Sequence, residues 1–146
     1  MILFNRYKNT QVEKLDNDIL KITSTMCDTF HEIDMVLYVD LNDTIIKEAK
    51  IQFIRQPDII CKETAKLADV LVGLSMGPGL TQKVKELLGG PSGCTHLMDL
   101  TLEAARAFMQ GKFKMEFEVV GDHDKAKKEL EKKLAGNCWF HTKHLR

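Results

Sequence analysis

Polar and apolar residues alternate along much of the first third of the chain. From Ile19 to Thr29, Leu20, Ile22 and Met26 fall on one face and Lys21, Thr23 and Thr25 on the other. From Asp34 to Leu41 the apolar set is Met35, Leu37, Val39 and Leu41. Asn42-Asp43 is a turn signal. Ile45 to Ile54 reads as the returning strand, with Ala49, Ile51 and Phe53 together. This pattern predicts an antiparallel meander with one apolar face. Upstream, Ile2 to Tyr7 reads as a short strand, and polar Lys8 to Asn17 as a turn or loop.

Pro57 closes the strand region. From Asp58 the period becomes helical: Cys61, Ala65, Ala68, Leu71 and Val72 form a stripe that ends at Gly73. Leu80, Val84, Leu87 and Leu88 mark a second helix, stopped by Gly89-Gly90. A third follows Cys94, with Leu97, Leu100 or Thr101, Ala104 and Phe108 along one side. After Gly111, Phe113, Met115, Phe117 and Val119 alternate with charged residues. That segment fits either a strand or a continuation of the third helix. A last helix starts at Asp122 or His123 and runs to Leu134, with Ala126, Leu130 and Leu134 inward and Gly136 as its C-cap. The charge run from Lys125 to Lys133 reads as its solvated face. Cys138-Trp-Phe-His141 turns apolar again, which predicts a docked tail.

Length and charge narrow the function classes. The 146 residues suit one α+β domain over 1–146. Lys plus Arg equals Asp plus Glu at 21 each, so charge supplies no attraction to nucleic acid or to an acidic membrane. No apolar run reaches the roughly 20 residues of a membrane span, and the first residues lack the apolar core of a signal peptide. The expected location is the cytoplasm, where thiols stay reduced. Protein partners and a homo-oligomer are left open.

Candidate chemistry lies with soft ligands at element boundaries. In Gly89-Gly-Pro-Ser-Gly-Cys-Thr-His-Leu97, breaker residues lead straight into the third helix. A thiol at a helix start faces unpaired N–H groups and the positive end of the dipole, surroundings that favour thiolate. His96 stands two residues on. His31 precedes the Met35 strand, Cys61 opens the first helix, and Cys138 follows the last with His141 close behind. Boundary residues at one end of a sheet–helix sandwich can converge on one site, and thiolate with imidazole suits zinc or an iron–sulfur cluster. Each residue also has a structural reading: Cys61 and Cys138 as core, His31 as a turn residue, and Cys27 as a strand residue. His123, His141 and His144 read as surface groups. Cys94 is alternatively a nucleophile with His96 or His31 as base. Gly93, Cys94 and Thr95 are alternatively an anion-binding helix start.

Two resemblances add expectations. The set His31-x-x-Asp-Met, Pro57-x-x-x-Cys61, Leu71-x-Gly73, Gly93-Cys-Thr-His-Leu and Gly136-Asn-Cys138 resembles a bacterial family catalogued only as a domain of unknown function. Asp34-Met-Val-Leu-Tyr-Val-Asp-Leu-Asn-Asp-Thr-Ile-Ile-Lys-Glu-Ala-Lys-Ile51 resembles the central hairpin of the NifU/IscU-type iron–sulfur cluster scaffolds. The second resemblance implies an antiparallel sheet of three or four strands with helices packed on one face, similar to the SufE/NifU-type scaffold fold. In register through Asn42-Asp43, it places the scaffold's ligand positions at His31, near Cys61, and at Cys94. A histidine replaces one scaffold cysteine, and Cys61 is displaced by about one helical turn. The implied pocket is His31, Cys61 and Cys94, completed by His96 or Cys138. The expected function is binding of a metal ion or cluster rather than catalysis.

Overall fold

A computed structural model describes residues 1–143; His144 lies outside them. The chain forms two compact units, Met1–Phe108 and Met109–Arg146. The first holds a four-stranded antiparallel sheet in the order β1-β2-β3-β4, with β1 Arg6–Lys14, β2 Ile19–Asp28, β3 Glu32–Asp40 and β4 Ile46–Arg55. A 3₁₀ helix, Ile59–Leu71, follows, then α1, Leu80–Leu88, and α2, Thr95–Val120. The sequence class, α+β with an antiparallel sheet, is the observed one.

Alternation decides which face of the sheet is covered. In β2 and β3 every second residue is buried: Leu20, Ile22, Ser24, Met26 and Asp28, then Ile33, Met35, Leu37 and Val39. Ile46 and Phe53 of β4 complete that face. The helices contribute Leu71, Val84, Leu88, Leu97, Leu100 and Phe108 to the same core. Buried Thr101 of α2 sits with its Oγ1 3.6 Å from the Met35 sulfur, and it donates to the Leu97 carbonyl at 2.7 Å.

Several sequence expectations shift. The first strand is Arg6–Lys14, not Ile2 to Tyr7, so the polar segment Lys8 to Asn17 is largely strand rather than loop. Its pairing with β2 is continuous from Arg6↔Asp28 to Lys14↔Leu20. An edge strand needs little apolar signal, because only Thr10, Val12 and Glu13 are even half-buried. The sheet accordingly has four strands. The 3₁₀ helix buries Ala68 and Leu71, but Val72, placed on its apolar stripe, is exposed.

In the second unit, Phe113 to Val119 continues α2 instead of forming a strand. Period-two alternation is also compatible with a helix when the polar residues are long lysines and glutamates that favour helix. Asp122 caps α3, His123–Leu134, by accepting from the Asp124 and Lys125 N–H groups. Ala135 is the C-cap, and Gly136 follows at φ 81, the left-handed position that favours glycine. Ala126 is buried, while Leu130 and Leu134 are half-buried. Trp139, in α4, Trp139–Lys143, is 77% exposed, and Phe140 is also exposed. The two rings of the tail are thus largely exposed, while Cys138, His141 and Thr142 are half-buried and α4 lies against α3.

Candidate functional site

The site starts at the turn that joins β2 to β3, Asp28-Thr-Phe-His31. Asp28 ends β2 on the covered face, and its side chain is fully buried. A buried carboxylate needs hydrogen bonds on every lone pair. Its Oδ1 accepts from the Phe30 N–H at 2.8 Å and the His31 N–H at 2.7 Å. The His31 Nδ1 lies 3.1 Å from the same oxygen. Its Oδ2 accepts from Arg6 Nε at 3.0 Å and Nη2 at 2.6 Å. Arg6 arrives because β1 pairs with β2 in the register Arg6↔Asp28. Burial on its own raises the Asp28 pKa. The Phe30 N–H, the Arg6 guanidinium, and the His31 N–H and ring outweigh it and hold the carboxyl well below the usual range.

The turn is fixed from outside as well. Arg55, at the end of β4, donates to the carbonyls of Thr29 (3.0 Å), Asp28 (2.6 Å) and His31 (3.3 Å). Asn5 N–H donates to the Thr29 hydroxyl at 3.1 Å, and Thr29 N–H donates to the Asn5 carbonyl at 3.1 Å. His31 is thus held in one orientation, with its side chain only 12% exposed.

The second half of the site comes from the start of α2. Gly93 makes a bend that only glycine fits: a Cβ there would lie 2.1 Å from the Leu88 carbonyl oxygen. The bend lets Cys94 N–H donate to that oxygen at 2.8 Å, while the Cys94 carbonyl accepts from Met98 N–H at 3.0 Å as the first bond of the helix. Gly93 N–H donates to the Gly90 carbonyl at 3.2 Å. Two of the three N–H groups expected to hold an anion, those of Gly93 and Cys94, are therefore spent inside the fold. His96 lies in the first turn of α2 with its ring centroid 4.0 Å from that of His31. Burial lowers the His96 pKa, helped by His31 and Arg6 and opposed by Asp28 and Asp99. These surroundings favour the neutral imidazole, the form that binds metals or accepts a proton.

Ligand atoms of Asp28, His31 and His96 lie within 4.8 Å of one another. Cys94 Sγ is 3.9 Å from His96 Nδ1. Cys61 and Cys94 both line a groove of about 340 Å³ beside this cluster, with Ile60, Leu67 and Gly93. His31 and His96 of the sequence-derived set thus meet, Cys94 joins them through His96, and Cys61 lines the same groove as Cys94. Cys138, half-buried ahead of α4, belongs to the second unit. All four cysteines are free thiols. Cys27 is an exposed strand residue with Arg55 Nη2 3.5 Å from its sulfur. His123 is exposed, whereas His141 is half-buried, with an Nδ1 that is enclosed and unpartnered among the described residues.

Asp28 and Arg6 were not among the sequence candidates. The local signal for Asp28 was an aspartate opening a four-residue turn between two strands, where its carboxylate can accept from the N–H groups two and three residues on. Arg6 has no local signal; only the β1–β2 register brings it there.

A four-stranded α+β unit in which an aspartate-anchored histidine packs on a second histidine beside a helix-start cysteine is the class that fold and site define. The chain belongs to the DUF2889 family, described as a protein of unknown function, whose family model matches residues 8–110. That span contains Asp28, His31, Cys61, Cys94 and His96, and leaves out Arg6 and Cys138. No curated protein and no solved structure matches the chain, so the resemblance to NifU/IscU-type scaffolds finds no counterpart there. No helix among the described residues is long and apolar enough to cross a membrane.

Proposed function

We propose that the protein binds a divalent metal ion, zinc by donor chemistry, through His31, His96 and Cys94. The observation that carries this reading is the convergence of His31 and His96 with Asp28 within 4.8 Å, with Cys94 Sγ 3.9 Å from His96 Nδ1. Asp28 is the anchor rather than a ligand. A carboxylate offers about four acceptor sites, and Arg6, Phe30 and His31 already occupy them. Its bond to His31 Nδ1 fixes the tautomer and leaves Nε2 without a hydrogen-bond partner among the described residues, the arrangement that recurs behind metal-binding histidines. One thiolate with two imidazoles suits zinc better than an iron–sulfur cluster, which is held mostly by cysteines. Cys61, which lines the same groove as Cys94, is the candidate fourth donor.

The test is metal content after anaerobic purification, by plasma mass spectrometry, in wild type and in His31→Ala, His96→Ala and Cys94→Ala. About one zinc per chain, falling in each variant, supports the reading. Metal-free protein that takes up no zinc in reducing buffer overturns it.

A second reading has its own observation, the 3.9 Å approach of Cys94 Sγ to His96 Nδ1. In that reading Cys94 is a nucleophile and His96 its base. It predicts one fast-alkylating thiol and no tightly held metal.

A further inference from the structure

We propose that the groove beside Cys94 seats a small aliphatic ligand whose polar head meets the Cys94–His96 pair. The inference deepens the metal reading and rests on it for what the head group meets. The groove itself stands on separate observations. Its volume of about 340 Å³ falls in the range of small-molecule sites, roughly 300–1,000 Å³. Its wall carries Ile60, which is 62% exposed, and half-buried Leu67. Apolar side chains left facing water in a concave wall gain from being covered by an apolar chain. The charged lining groups are one acid and one base, Glu63 and Lys66, so no net charge selects an ion. Gly93, which cannot carry a side chain without colliding with the Leu88 carbonyl, also lines the groove. Cys94 belongs to this lining and also touches His96, so a ligand lying along Ile60 and Leu67 brings its head to Cys94 and, through it, to His96.

Alkylation by maleimides of increasing chain length tests this on the full-length protein, with and without added zinc. The Cys94 thiolate adds across the maleimide double bond, and the adjacent carbon takes a proton from water. Exposed Cys27 is the internal reference. The N-hexyl to N-ethyl rate ratio, read by peptide mass spectrometry, is expected to be about tenfold higher at Cys94 than at Cys27. In Ile60→Asp, an exposed position that leaves the core intact, the excess is expected to fall below about twofold. Equal ratios at Cys94 and Cys27 in wild type overturn the groove proposal. The zinc arm separates the two readings. Chain-length preference without slowing by zinc supports the groove and removes the metal; slowing by zinc without the preference removes the groove alone.

Discussion

Asp28→Asn isolates the anchor of the site with a minimal change of shape. The side chain is fully buried, and both oxygens are used. If the amide keeps its oxygen toward the turn, the two N–H bonds survive and an NH2 group faces Arg6 Nε and Nη2, donor against donor. Two charge-assisted bonds are lost, each worth about 1.5–3 kcal/mol. Arg6 is 31% exposed on its side chain and regains part of this from water, so the net cost at pH 7 is about 3 kcal/mol. Urea unfolding with an unchanged slope measures it. The pH dependence has a definite sign. The folded pKa is depressed, so the stabilisation is fully present above the unfolded value of about 3.9 and is lost as pH falls toward the folded one. At pH 3 the wild-type advantage should have shrunk by about 1.2 kcal/mol, from roughly 1.36 kcal/mol for each unit below 3.9. A cost under about 1 kcal/mol at pH 7, or a cost that is the same at pH 7 and pH 3, would refute the account of Asp28 as an ionised, doubly held anchor.

Two further outcomes follow from the same geometry. Gly93→Ala forces a Cβ to 2.1 Å from the Leu88 oxygen; the bend must open, at about 2–3 kcal/mol by thermal unfolding, and α2 should lose its tie between Cys94 N–H and Leu88. In metal-free protein the His96 imidazole should titrate below the ordinary value of about 6.5, because burial disfavours its charge. Followed by NMR, a midpoint at or above 6.5 contradicts that environment, and its stability contribution should be full above pH 6.5 and decline on acidification.

The sequence by itself determined the period of most elements. β2, β3 and β4 were legible because each alternates apolar and polar residues against one covered face, and α1 and α3 because their stripes run between glycines or capping residues. The placement of His31, Cys94 and His96 was also legible, since each sits where a strand or helix begins. Tertiary structure decided the rest. β1 carries little apolar signal because an edge strand is held by backbone pairing with β2 rather than by burial. Phe113 to Val119 alternates like a strand yet extends α2, since its charged residues favour helix and nothing interrupts the turn-to-turn bonds. The anchoring of His31 was beyond the sequence: Arg6 and Asp28 stand 22 residues apart, and only the β1–β2 register puts them face to face. Local periodicity reports which face of an element is buried, whereas a buried charge and its partner are specified by pairing between elements, which no single stretch of chain records.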